Sequence, residues 1–346
     1  MTLPLLVAAA LFAGVVIYAI FAGADFGSGF FDLTAGSSSA GAELRTLVDH
    51  SIGPVWEANH VWLIYVLVLW WTAFPAAFAS AMSTLIVPLL FALLGIVLRG
   101  ASFAFRKYSA TMRQAQLYGA IFATSSVITP FFLGCVAGAI ASGRVPASGT
   151  GARWASWLTP TSLLGGLIAV GTCAFLAGVF LTADAHRMGA RDLTEKLRVR
   201  TFAVGLATGA VVFLALVPVM RDAPTLANGL TGRAAPLIVL SGLAGLTTLF
   251  LLRLRRYGWA RAAAVVAVAA VVLGWGVGQY PWMLVDEVTI SNAAGASATL
   301  EALLVVIGLA VVVVLPALVY LLRLTQTEAW ASHEPHSQTP SDGAPE

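Results

Sequence analysis

The chain of 346 residues is 59% hydrophobic and 10% charged, with a mean hydropathy of +0.89. A soluble domain carries about 25% charged residues, so this composition excludes a soluble core and points to a polytopic membrane protein. The net charge of +3 and pI of 9.1 would suit a nucleic-acid binder. The basic residues, however, sit in short loops between apolar runs, so nucleic acid is excluded as a partner.

Taken in chain order, nine apolar segments are long enough to cross a bilayer, which takes roughly 20 residues each. They cover about 3–23, 54–74, 78–98, 117–141, 160–183, 202–220, 235–252, 259–279 and 302–323. Backbone groups in lipid must bond within their own segment, so all nine are predicted helices. The start, Met1-Thr-Leu-Pro-Leu5, has no basic region and no clear cleavage site, and the first segment reads as a retained span. Cys135 and Cys173 lie inside apolar segments and read as small buried hydrophobes. Residues 1–325 form one transmembrane domain. From Gln326 to Glu346 the chain is rich in Pro, Ser, His, Gly and acids and reads as a disordered cytoplasmic tail, with His333 and His336 as solvated groups.

Charge orients the segments. With the N-terminus outside, four of the 19 Lys and Arg residues fall in outer loops: Arg144, Arg153, Arg221 and Arg233. All the others fall in inner loops or the tail. The positive-inside rule then gives N-out and C-in with nine spans.

Two acids stand out. Glu57 lies in Gly53-Pro-Val-Trp-Glu57-Ala-Asn59-His60-Val-Trp62, at the head of the second segment. Asp25 lies in Ala22-Gly-Ala-Asp25-Phe-Gly-Ser-Gly29, at the far end of the first. An acid at membrane depth costs a few kcal/mol unless paired, hydrated or neutral, and such groups commonly move protons or ions. Consecutive helices run antiparallel, so both acids belong to the inner depth of one hairpin, a placement suited to proton uptake. A carboxyl in a low-dielectric site is harder to ionise and can exchange protons near neutral pH. The plainer reading of Glu57 is an acid favoured by a helix N-terminus.

Glu57 and His60 are i and i+3 and share a helix face. His60 is a proton relay or haem ligand on the sharper reading, hydrogen-bonded structure on the plainer one. With Asn59 these residues make the candidate proton path: Glu57, Asp25, His60 and Asn59. Arg99 abuts the third apolar run and is the candidate charge partner of Asp25 or Glu57; its plainer reading is inner-loop charge. The block Gly274-Trp-Gly-Val-Gly278-Gln279-Tyr280-Pro281 leaves the eighth segment and demands no catalytic role. No P-loop, dinucleotide fingerprint, Cys cluster or paired intramembrane histidines occur, so the chain reads as one part of a larger machine.

At these residues the chain resembles subunit II of cytochrome bd-type quinol oxidases. The family pattern is a G-F-D-F-G-V-G-like block, then G-P-V-W-D-G-N-x-V-W-L, F-R-G-x-x-F-E-F-R, and a late G-x-x-x-x-Q-Y-P. Here these read Gly23-Ala-Asp25-Phe-Gly-Ser-Gly29, Gly53-Pro-Val-Trp-Glu57-Ala-Asn59-His60-Val-Trp-Leu63, Leu98-Arg99-Gly-Ala-Ser-Phe-Ala-Phe-Arg106 and Gly274-Trp-Gly-Val-Gly-Gln279-Tyr-Pro281. The departures are Ala24 for Phe, Glu57 for Asp, Ala58 for Gly and Ala104 for an acid. The resemblance implies two four-helix bundles with a ninth peripheral helix, in a bacterial inner membrane. It implies pairing with a haem-bearing subunit I, the pair oxidising quinol and reducing O2 to water with cytoplasmic proton uptake. It places no haem in this chain: haems b and b, or b and d, belong to the partner, and a structural quinone or lipid is possible here. The alternatives from other classes are a proton-coupled secondary transporter and a scaffold subunit without chemistry.

Overall fold

The computed structural model describes the backbone of residues 2–36, 39–107 and 111–325. Side chains are described for all of these except 39–40, 50, 52–58, 106–107, 112, 315, 318–319 and 321–325. The side chain of Glu57 and the whole tail from Gln326 therefore lie outside the described residues.

The chain is almost entirely helical, as lipid requires. In order it forms α1 (Leu3–Leu33), α2 (Ser39–Ala73), α3 (Pro75–Thr84), α4 (Ile86–Lys107), α5 (Met112–Ala141), α6 (Pro160–Arg187), α7 (Arg191–Asp222), α8 (Pro224–Thr231), α9 (Ala235–Arg253) and α10 (Tyr257–Gln279). The strands β1 (Trp282–Leu284) and β2 (Val288–Thr289) pair antiparallel, and α11 (Ile290–Ala293) and α12 (Ser297–Thr325) follow. Among the described residues eight helices are long and apolar enough to cross a membrane, or nine if the bent pair Asn59–Ala73 and Pro75–Thr84 counts as one span. The chain divides into a unit ending at Leu303 and a second, from Leu304, whose described part continues α12.

Three differences from the sequence expectation have physical causes. The first segment does not stop near residue 23: α1 runs on to Leu33, so Asp25 sits about two turns inside the helix. The glycines beyond residue 23 serve close packing. A Cβ on Gly27 would run into the backbone of Cys173, so only glycine lets α1 lie this close to α6.

The expected span 78–98 is broken. Pro75 opens α3 after Phe74, and the axis turns by 116° there. Pro88 cannot donate to the Thr84 carbonyl and its ring crowds it, which ends α3 and restarts the chain as α4 at Ile86. The apolar run thus crosses as α4, shifted toward Lys107. The third difference is the hairpin after α10, whose strands of three and two residues carry too little alternation to be read in advance.

Two apolar clusters fix the helices around α6. Phe31, Leu44, Leu47, Phe122, Leu193 and Leu197 join α1, α2, α5 and α7. Phe175, Val179, Leu252, Ala260 and Val268 join α6 to α9 and α10. At the α1–α2 turn, the Arg45 Nε donates to Asp32 Oδ1 at 2.9 Å and its Nη2 to the Gly36 carbonyl at 2.7 Å.

Candidate functional site

Helix α1 carries Asp25 into the interior, where it is 0% exposed; Arg99, on α4, is 1% exposed. A charge so deeply buried must be matched. Arg99 Nη2 donates to Asp25 Oδ1 at 2.7 Å and Nη1 to Oδ2 at 3.0 Å, the bidentate fork that suits guanidinium and carboxylate. Nη2 also donates to the Asp25 carbonyl at 2.9 Å. Nε donates to Ser126 Oγ on α5 at 2.8 Å, and that hydroxyl donates to the Phe122 carbonyl at 2.6 Å. Four of the five N–H groups of Arg99 are thus engaged.

Aromatic faces complete the lining. The Arg99 Cζ lies 4.5 Å from the Phe122 ring centroid and 5.1 Å from that of Phe26, within the range of cation–π attraction. Ser126 can reach Arg99 because Gly29 faces it: a Cβ at Gly29 would collide with the Ser126 side chain.

Helix α2 enters through Asn59, 2% exposed, whose Nδ2 donates to Asp25 Oδ2 at 3.0 Å. Among the described residues Asn59 Oδ1 is buried with no hydrogen-bond partner, and so is the hydroxyl of Tyr18, two turns before Asp25 on α1. Both are polar atoms at membrane depth that a water could satisfy.

Of the five residues singled out from sequence, three meet in one cluster: Asp25, Asn59 and Arg99. Arg99 partners Asp25. His60 is half-buried on α2, one residue on from Asn59 and so about 100° around the helix. Glu57 belongs to α2 by its backbone, and its side chain lies outside the described residues. Sequence reading missed Ser126, Phe122 and Phe26. A serine pair, Ser125-Ser126, inside the apolar run of α5 was the available signal.

A model of the family described as cytochrome bd terminal oxidase subunit II matches residues 3–325. The chain belongs to that family. As a subunit II it is a multi-span membrane component of a bacterial cytochrome bd oxidase, an oxidoreductase complex, and implies a subunit I beside it. It is 26% identical over 306 residues to cytochrome bd ubiquinol oxidase subunit 2 of Bacillus subtilis (strain 168), covering 85% of this chain and 86% of that one. It superposes on a chain of the bd oxidase structure from Geobacillus thermodenitrificans with a TM-score of 0.76 and 27% identity, covering 94% of this chain and 99% of that one.

The described residues hold no group of three or more His, Cys, Asp or Glu placed to bind a metal. Two cavities, of about 190 and 320 Å³, are lined by no histidine or cysteine. His186, at the end of α6, lies against Tyr257 with centroids 4.8 Å apart and ring planes tilted by 56°.

Proposed function

We propose that this chain is the non-haem subunit of a bd-type terminal quinol oxidase, supplying a scaffold and a proton path to a haem-bearing subunit I. The complex oxidises quinol and reduces O2 to water with protons drawn from the cytoplasm. The b-type and d-type or second b-type haems of subunit I supply the electron transfer and oxygen reduction. The observation that carries the reading is the fully buried Asp25–Arg99–Asn59 cluster, a polar centre that a purely apolar scaffold would not need.

The cluster divides the labour. Asp25 has both carboxylate oxygens engaged, so it anchors charge and joins α1, α2 and α4. Asn59 thereby sets the rotation of α2. Residues i and i+2 do not face each other on a helix, whereas i and i+3 do. Glu57 and His60 therefore share a different face of α2, and Glu57 is the carboxyl assigned to exchange protons there. The orientation that opens this face to the cytoplasm is N-out and C-in, with nine spans in two four-helix bundles and a peripheral ninth helix.

Two measurements test this frame. A reporter fused after residue 323 should report cytoplasm, and one inserted in the 142–158 loop should report the outside; a cytoplasmic signal from that loop would break the topology. Purified without subunit I, the chain should show no Soret band. A stoichiometric haem that disappears in His60→Ala would make His60 an axial ligand and overturn the assignment.

A further inference from the structure

We infer that the groove between the start of α7 and the end of α9 is a binding site for one anionic phospholipid. The inference is independent of the proton path. The groove encloses about 320 Å³ and is lined by Arg198, Val199, Phe202, Ala203, Leu206 and Arg253. Its two arginines sit where α7 begins its apolar course and α9 ends its own, which is the depth of lipid headgroups. Its remaining lining is apolar, with Leu206 57% and Val199 56% exposed. Farther along, α9 presents Leu246 and Phe250 and α7 presents Phe213, all exposed and apolar. Charge at the mouth and hydrocarbon along the walls match an anionic head followed by acyl chains. Basic pockets between membrane helices bind such heads.

The local charge balance favours an anion. Glu195 accepts from Arg198 Nε at 3.0 Å and from its Nη2, and Arg255 Nη2 approaches the same carboxylate at 3.4 Å. One carboxylate therefore serves two guanidinium groups, and Arg198 Nη1 has no hydrogen-bond partner among the described residues. Arg253 is exposed and makes no ion pair among the described residues. A phosphodiester is the group that would take up the surplus. Glu195, in holding Arg198 by two contacts, fixes its direction without neutralising the site.

The test uses the two-subunit complex, delipidated in mild detergent. It is titrated with phosphatidylglycerol, with phosphatidylcholine of the same chains, and with inorganic phosphate, reading the thermal midpoint and the lipid retained per complex. Phosphatidylglycerol should raise the midpoint saturably with about one lipid retained, while the other two ligands leave it unchanged. Each arginine near a membrane surface contributes roughly five-fold to anionic-lipid affinity, so Arg198→Gln with Arg253→Gln should weaken it about 25-fold. Arg191→Gln, an exposed arginine outside the groove, should leave it unchanged. If the double variant does not assemble, Ala203→Trp fills the groove from its apolar wall with both arginines intact and should abolish retention. An equal response to phosphatidylcholine, a response to phosphate alone, a quinone retained in the lipid's stead, an equal loss in Arg191→Gln, or wild-type binding in whichever groove variant is used would each overturn the site.

Discussion

Arg99→Gln should destabilise the subunit by about 3–5 kcal/mol, enough to deplete the assembled complex from the membrane. That is the usual cost of removing one partner from a buried ion pair, because the other charge stays behind without compensation. Here Arg99 and Asp25 are 1% and 0% exposed, so the residual charge stays cut off from bulk solvent between α1, α4 and α5. Asp25→Asn should cost a similar amount, since it strands a guanidinium that cannot lose its proton. Arg99→Lys should be intermediate: the charge persists, but the fork to two carboxylate oxygens and the link to Ser126 do not. The double variant Asp25→Asn with Arg99→Gln carries no buried charge and should be less destabilised than the sum of the singles, a coupling expected of residues in contact. Yield of assembled complex and thermal midpoint in detergent check all four. An ordinary surface charge of an inner loop predicts effects within about 0.5 kcal/mol and no coupling, and that outcome would deny the pair its structural role.

The membrane class and most helices were legible because apolar length is a local property. Arg99 was legible as a partner because it directly abuts the third apolar run. That Asp25 is a carboxylate it takes depends on a contact across 74 residues, which local periodicity does not carry. Ser126 and Phe122 were hidden for the same reason: a serine inside an apolar helix reads as bonded to its own backbone, as Ser126 also is. Gly23, Gly27 and Gly29 lie at and beyond the expected segment end near residue 23. Glycine weakens a helix when solvent surrounds it, but among tightly packed membrane helices it permits close approach, so α1 continues to Leu33. The break at Phe74 and Leu85 was written in Pro75 and Pro88, and an unbroken apolar run masked it.

Glu57→Gln should keep the complex assembled and lower quinol-driven oxygen consumption by roughly ten-fold or more, which is at least about 1.4 kcal/mol on the barrier. The argument starts from Asp25. Its Oδ1 is taken by Arg99, and its Oδ2 by Arg99 and Asn59 together, so both of its oxygens already have partners. The block on α2 offers one further carboxyl, Glu57, three residues before His60 on a shared face. Glutamine keeps the size and the hydrogen-bonding capacity of that side chain but removes the exchangeable proton. Glu57→Asp should be milder, because the carboxyl survives on a stem one carbon shorter. The contrast with Arg99→Gln is the decisive part. Loss at Arg99 should appear as lost assembly, whereas loss at Glu57 should appear as lost turnover per assembled complex at normal haem content. An acid that merely favoured a helix N-terminus would give the reverse at Glu57, up to about 1 kcal/mol of stability with turnover intact. Full activity in a well-assembled Glu57→Gln complex would remove Glu57 from the proton path and shift proton delivery to subunit I.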